Sequence, residues 1–340
     1  MSTVLVTGGT GYIGSHTAVE LIQCGHRVVI VDNLSNSSIQ AIDGIAQITG
    51  VKPQFVKADC ANLDEMRLLF SSYPDMDSVI HFAALKAVGE SVEKPIEYYR
   101  NNIYSVINLL QILRERGSGN LVFSSSCTVY GQPDTLPVTE NAPLKPALSP
   151  YGNTKKIAED IIRDTLHAQP SIKTIALRYF NPVGAHPSAL IGELPLGKPD
   201  NLVPFITQTA AGLRDELQVF GNDYDSQDGT AIRDYLHVTD LAKAHVVALD
   251  RMMGGRNKQP FEVFNVGAGK GVTVLEIIQT FERVTGVKLK YKMVGRRPGD
   301  IEKVWADTSY ANQELGWRVE SGLEQALESA WKWEKRLRGL

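Results

Sequence analysis

A phenol and an amine stand four residues apart in Ser149-Pro150-Tyr151-Gly152-Asn153-Thr154-Lys155, just inside an expected helix start. At that spacing both side chains share one helix face. Free tyrosine titrates at about 10, too high for a good base at neutral pH, but an ammonium within a few ångströms favours the phenolate. Tyr151 is therefore a candidate general base and Lys155 its tuner. Such pairs also decorate ordinary solvated helices, so the meaning comes from company. A hydroxyl cluster, Ser124-Ser125-Ser126-Cys127-Thr128, lies about 25 residues upstream, and a glycine-rich turn lies at the N-terminus, each where a dinucleotide-dependent enzyme needs it. Ser126 is the best-placed hydroxyl to hold a reacting oxygen.

The turn is Gly8-Gly9-Thr10-Gly11-Tyr12-Ile13-Gly14, entered from the β-branched run 3–7 and followed by an apolar-periodic stretch to Cys24. That order reads strand, turn, helix. Gly8, Gly11 and Gly14 let backbone amides at the helix start approach a pyrophosphate. A second strand, 27–31, ends at Asp32, 18 residues beyond Gly14. An acid there accepts both ribose hydroxyls and repels a 2'-phosphate, which favours NAD over NADP.

These groups need a frame. Further strands are expected at 54–58, 78–83, 120–124 and 173–178, alternating with helices at 62–71, 95–116 and 150–168. The alternation predicts an α/β, doubly wound parallel sheet of the Rossmann type over residues 1–180, with the chemistry at its strand ends. After Tyr179-Phe180-Asn181-Pro182 the alternation breaks, and 183–201 is rich in Gly and Pro. A smaller mixed α/β C-terminal domain, 181–232 and 267–340, is expected to cap the strand ends and hold substrate. The chain is expected to return to the sheet around 233–266, through a helix at 239–250 and a strand at 261–266. Arg233, and Arg297 in the basic turn 295–300, are candidates for an anionic substrate. His186 and His237 lack ligand-spaced neighbours and read as structural. Trp305, Trp317, Trp331 and Trp333 are expected to pack a C-terminal helical layer.

Composition limits the partners. The chain has 340 residues, 43% hydrophobic and 21% charged, with a formal net charge of -3. Nothing there suggests nucleic acid, an acidic tail or disorder, so a small molecule is the expected partner. Met1-Ser2-Thr3 runs straight into Val4-Leu5-Val6 without a cationic leader, and no apolar run approaches the ~20 residues that span a bilayer. A cytoplasmic protein is expected. Cys24, Cys60 and Cys127 are odd in number and lie outside metal or disulfide spacings, so neither is indicated.

These motifs together resemble the extended short-chain dehydrogenase/reductases and, within them, the UDP-glucose (UDP-galactose) 4-epimerases. The resemblance covers nearly the whole chain. It runs through residues 8–15, 32–34, 82–91, 124–131, 151–155, 178–187, 220–224, 233–238 and 297–300. It implies that Ser126, Tyr151 and Lys155 are catalytic. It implies an NAD site of Gly8, Gly11, Tyr12, Ile13, Gly14, Asp32, Asn33, Asn36, Ser37, Asp59, Cys60, Phe82, Ala83, Lys86, Asn101, Ser124, Tyr151, Lys155 and Tyr179. A UDP-hexose is implied to meet Lys86, Ser126, Tyr151, Phe180, Asn181, Asn201, Leu202, Phe220, Arg233, Arg297, Asp300 and Val304.

The implied reaction oxidises the sugar at C4, turns the 4-keto sugar over and reduces its other face, with NAD regenerated in place and no metal. A homodimer pairing helices 95–116 and 150–168 is implied by the same analogy. Departures from the family pattern are Ala84, Cys60 and Val304, the last where glucose/galactose-restricted members carry Tyr. Without that ring a gap is expected beside the sugar's 2-position, which would admit UDP-N-acetylglucosamine and UDP-N-acetylgalactosamine. One alternative is a nucleotide-sugar 4,6-dehydratase, whose family carries Asp-Glu where Cys127 and Thr128 stand. The other is a non-catalytic NAD and UDP-sugar sensor.

Overall fold

In the computed structural model, which describes residues 2–297 and 300–340, alternate residues of the first strand face opposite ways: Val4 and Val6 join one apolar cluster, Leu5 another. That is the signature of a strand buried on both sides. Residues before 180 supply β1 (Thr3–Thr7), β2 (Arg27–Asp32), β3 (Gln54–Lys57), β4 (Met76–His81), β5 (Gly119–Ser126) and β6 (Ile172–Tyr179). Later residues add β7 (Asn181–Val183), β8 (Leu217–Phe220), β9 (Ile232–His237), β10 (Phe261–Val266), β11 (Gly271–Thr273), β12 (Tyr291–Val294) and β13 (Lys303–Val304).

The main sheet runs β10-β6-β5-β4-β1-β2-β3, and each adjacent pair is parallel. Helices Tyr12–Gln23, Gln40–Thr49 and Val238–Met253 bury their apolar faces on one side of it. Helices Leu63–Ser72, Pro95–Glu115 and Pro150–Ala168 cover the other. Each fully buried aliphatic side chain in these layers contributes roughly 1.5–3 kcal/mol. Strand order reverses between β1 and β4, which pair Thr7 with His81 at their C-terminal ends. Such a reversal opens a crevice for ligands.

The second unit has a small sheet, β11-β9-β13 with β7 also on β9, and a separate pair of β8 with β12. Helices Leu202–Ala210, Val274–Thr285 and Leu323–Arg338 close a third apolar cluster around Val219 and Tyr235. No helix among the described residues is long and apolar enough to cross a membrane.

Three features differ from the sequence expectation. Helix Gln40–Thr49 was not anticipated, because Gly44 interrupts its pattern; a Cβ there would lie 2.6 Å from the Leu190 carbonyl oxygen, so packing excludes a better helix former. The 233–237 stretch belongs to the small sheet, through β7, β11 and β13, and the return to the main sheet begins only with helix Val238–Met253. Of the four tryptophans, only Trp331 and Trp333 lie on the C-terminal helix. Trp317 is buried in the main-sheet core and donates to the Asp240 carbonyl oxygen at 2.8 Å, while Trp305 packs beside Gly271.

Candidate functional site

The glycine turn joins β1 to its helix at the point where strand order reverses. Gly8 has φ +65°, and a Cβ there would lie 2.8 Å from the Ala83 backbone nitrogen. A Cβ at Gly14 would lie 2.3 Å from the Gly8 carbonyl oxygen, so both positions admit only glycine. Gly11 occupies the cap position with no side chain bonded to the helix start. The first-turn N–H groups around Tyr12, Ile13 and Gly14 thus have no intrahelical partner, which suits a pyrophosphate.

Asp32 closes β2 and faces this turn at 8% exposure. It accepts from Thr10 N–H at 3.2 Å, Leu34 N–H at 2.9 Å and Ser37 Oγ at 2.9 Å. A carboxylate has about four acceptor positions, so capacity remains for a ribose hydroxyl. Asn33 caps Ser35 N–H at 3.0 Å, and Asn36 is exposed beside it. At the end of β3, Asp59 accepts from Ala61 N–H at 2.9 Å. Cys60 is buried there, and burial pushes its thiol well above the usual range. Past β4, Phe82 and Ala83 donate their N–H groups to Thr7 Oγ1, each at 3.2 Å. These residues lie with the glycine turn at the strand ends where the order reverses, and they supply the acid and the free amides a dinucleotide would need.

Pro150 starts its helix at the first turn, where its missing N–H costs nothing, and Ser149 Oγ caps Gly152 N–H at 3.1 Å. Tyr151 and Lys155 then face the end of β5. Lys155 Nζ donates to the Ser124 carbonyl oxygen at 2.6 Å and lies 5.9 Å from the Tyr151 ring centre. Ser124 Oγ and Tyr179 OH are 2.8 Å apart, and Ser126 Oγ accepts from Thr128 N–H at 3.2 Å.

Burial adds an effect that opposes the one expected from the spacing. Burial drives the Tyr151 phenol up, Tyr179 adds to the effect, and a hydrogen bond from Ser126 opposes it. Burial lowers the Lys155 ammonium to about 8, with Glu159 resisting. Burial therefore sets the net upward direction of the Tyr151 shift and outweighs any help from the nearby Lys155 ammonium.

Sequence reasoning missed the supports of this cluster. Asn102 binds the loop after β4 through Leu85 N–H at 2.8 Å and the Leu85 carbonyl oxygen at 3.0 Å, and donates to Thr154 Oγ1 at 3.1 Å. Its neighbour Asn101 donates to it at 2.9 Å. One turn past Lys155, Glu159 receives the Arg178 guanidinium in a fork at 2.9 and 2.5 Å and Ser125 Oγ at 2.6 Å, all buried. Arg178 also donates to Tyr130 OH at 3.0 Å. A charge four residues beyond the lysine was the available signal.

In the second unit, Arg233 Nη1 donates to the carbonyl oxygens of Ile232 and Glu302, at 2.9 and 3.3 Å. Arg297 forks onto Asp300, 2.8 Å at the shorter contact, with its guanidinium 5.6 Å from the exposed Phe220 ring. Pro298 and Gly299 of the expected basic turn lie outside the described residues. Lys86 Nζ and Asn201 Nδ2 both donate to Glu193 Oε1, at 3.3 and 2.7 Å. Asn181 pairs with Tyr235 in the small sheet, and Leu202 packs in the third cluster. Val304 is 2% exposed among Val129, Tyr130, Val138, Phe180 and Ala306. The gap expected beside it is therefore closed by neighbours, and the Phe180 side chain lies in the same buried cluster.

His237 accepts from Thr239 N–H at 3.1 Å and so caps a helix, and His186 accepts from Ser188 N–H at 3.2 Å. Both make local structural bonds. Among the described residues no group of His, Cys, Asp or Glu is arranged to hold a metal ion.

A family model described as GDP-mannose 4,6 dehydratase matches residues 5–330. The chain is 50% identical to a UDP-glucose 4-epimerase of Yersinia enterocolitica, over 98% of this chain and 97% of that one. It superposes on the UDP-glucose-4-epimerase of Stenotrophomonas maltophila, solved with NAD and formylated UDP-arabinopyranose, with TM-score 0.96 and 48% identity, covering 100% and 99% of the two chains. The Bifidobacterium longum UDP-glucose 4-epimerase, solved with NAD+ and UDP, gives TM-score 0.94 and 46% identity over 98% of each chain.

Proposed function

The chain belongs to the UDP-glucose 4-epimerase family, and from that membership and the site's geometry we propose how its residues interconvert UDP-glucose and UDP-galactose with NAD. The observation that carries the reading is the convergence of Ser126, Tyr151 and Lys155 at the C-terminal end of β5, two strands from the β1 end that carries the uncapped glycine turn. The glycine turn and Asp32 would hold NAD, which would supply hydride acceptance and return at the sugar's C4 and a positive charge favouring the Tyr151 phenolate. Tyr151 accepts the proton of the 4-hydroxyl and later gives it back. Ser126 holds the same oxygen through its hydroxyl. Lys155, anchored on the Ser124 carbonyl, holds its charge beside the phenol and the ribose. Arg233 and Arg297 grip the diphosphate, so the 4-keto sugar can turn about that anchor and present its other face.

In this reading residues 1–180, with the segment returning to the main sheet within 233–266, bind NAD, and 181–232 with 267–340 bind the UDP-sugar. The remaining expected contacts join them: Asp59, Cys60, Phe82, Ala83 and Asn101 for NAD, and Phe180, Asn181, Leu202, Phe220 and Asp300 for the UDP-sugar. Exposed Ile96, Tyr104 and Ile107 on helix Pro95–Glu115 support a homodimer through that face, which a mass measurement at micromolar protein tests. The dehydratase reading, suggested by the family model's description, needs an acid after the strand-end hydroxyls. Cys127 and Thr128 stand there instead, opening a short helical turn.

The test is product analysis with NAD and UDP-glucose. UDP-galactose is expected. A 4-keto-6-deoxy product would establish the dehydratase, and binding without turnover the sensor.

A further inference from the structure

We propose that Glu193 is a positioning residue of this reaction: its carboxylate sets Lys86 and Asn201, from opposite walls of the cleft, to receive the nucleotide-sugar. The inference rests on the reading above that both residues contact ligand.

Glu193 is built into a rigid junction. A Cβ on Gly192 would lie 2.5 Å from the Trp333 ring, so the chain can pass beneath the indole only as glycine. Trp333 Nε1 then donates to the Glu193 carbonyl oxygen at 2.8 Å. Gly192 also bridges to Ala185, and Tyr12 OH donates to the adjacent Gly184 carbonyl oxygen at 2.6 Å. The backbone of Glu193 is thus tied to the C-terminal helix and, through Tyr12, to the glycine-turn helix.

On that fixed base the side chain is only 13% exposed, and a single oxygen, Oε1, accepts from both Lys86 and Asn201. The two donors are 115 residues apart in sequence and come from different units of the fold. Asn201 provides the second observation. It occupies the N-cap of helix Leu202–Ala210, where asparagine ordinarily bonds the first-turn amides, yet it makes no cap hydrogen bond. Its amide is turned to Glu193 instead. Lys86 is 51% exposed and, without a partner, would sample many rotamers. Holding both donors before ligand arrives removes part of the ordering cost of binding.

The effect belongs in binding more than in the chemical step. In NAD-loaded enzyme, Glu193→Ala is expected to raise the KM for UDP-glucose, and its Kd by calorimetry, about tenfold. The kcat should stay within about threefold, and Tm within about 3 °C. Glu193→Gln keeps an acceptor for Asn201 but gives up the charge opposite Lys86, so it should recover part of the affinity. An unchanged Kd in Glu193→Ala, or a tighter one as a competing carboxylate would give, overturns the proposal. So does an equal fall of kcat and Tm in both variants, which marks a scaffold role. A parent enzyme that binds UDP-glucose without converting it would strike the activity reading alone, since the Kd comparison still reports on Glu193.

Discussion

The Lys155 ammonium is bonded to the Ser124 carbonyl oxygen at 2.6 Å while the centre of the Tyr151 ring lies 5.9 Å away. The cation is anchored on the strand end, so its field, not a bond, is what would reach the phenol. Tyr151→Phe removes the proton acceptor and little volume, so kcat should fall by at least about 10³-fold with UDP-glucose affinity within about threefold. Steady-state kinetics and calorimetry on the same preparation check this; a modest kcat loss would assign the base elsewhere.

Lys155→Met should alter the pH profile. Burial lowers Lys155 to about 8, so its charge is full below that pH and fades as pH rises through it. Electrostatic support for the phenolate is therefore a low-pH asset, and removing it should displace the rising limb of kcat/KM to higher pH. Rates from pH 6 to 10 decide, and superimposable profiles would reject the role.

Asp32→Ala should relax the preference against a 2'-phosphate by removing the carboxylate that closes β2. The affinity ratio of NAD to NADP is expected to fall about tenfold or more. Because Asp32 also receives Thr10 N–H from the glycine turn, absolute NAD affinity should fall too. Competitive binding of the two cofactors measures both effects, and a constant ratio would remove Asp32 from the ribose.

Asp234 is buried beside Arg233 and accepts N–H groups from Ala268 at 2.6 Å and from Gly269 and Ala306 at 3.0 Å each. Burial raises its carboxyl from 3.8 to about 6, against the pull of those three bonds. Since the folded value is the higher one, this group's contribution to stability is full below 3.8 and is lost as pH rises through 6. Asp234→Asn should abolish that component, while lowering stability generally by about 1–3 kcal/mol through a lost acceptor. Urea midpoints of both proteins across this range test it. A parent-minus-variant difference that does not vary with pH would show that Asp234 does not titrate there.

Val304 lies opposite Arg233 in the pairing of β13 with β9 and is packed on its other sides by Phe180, Tyr130 and Val138. We propose that UDP-N-acetylglucosamine is also accepted, through displacement of this cluster, with a reduced but measurable rate. Val304→Tyr should reduce that activity selectively, by the roughly 10- to 200-fold that one steric wall can supply. The ratio of kcat/KM for the two sugars is the measurement; equal losses on both would locate the gate elsewhere.

What the sequence determined by itself was local. The glycine turn, Asp32 at the end of β2 and the shared face of Tyr151 and Lys155 are legible because backbone freedom, strand period and helix period act within a few residues. The same periodicities made the alternation of strands and helices, and hence the parallel sheet, readable in advance. Only the tertiary structure decided the rest. Glu193 reaches Lys86 across 107 residues, and the Arg178–Glu159 pair joins a strand to a helix. Gly44 is explained by Leu190, and strand 232–237 by the partners that captured it. The direction of the Tyr151 shift and the closure of the space beside Val304 also emerged only there. Desolvation and packing depend on which distant groups exclude water from a side chain, and no spacing along the chain specifies those groups.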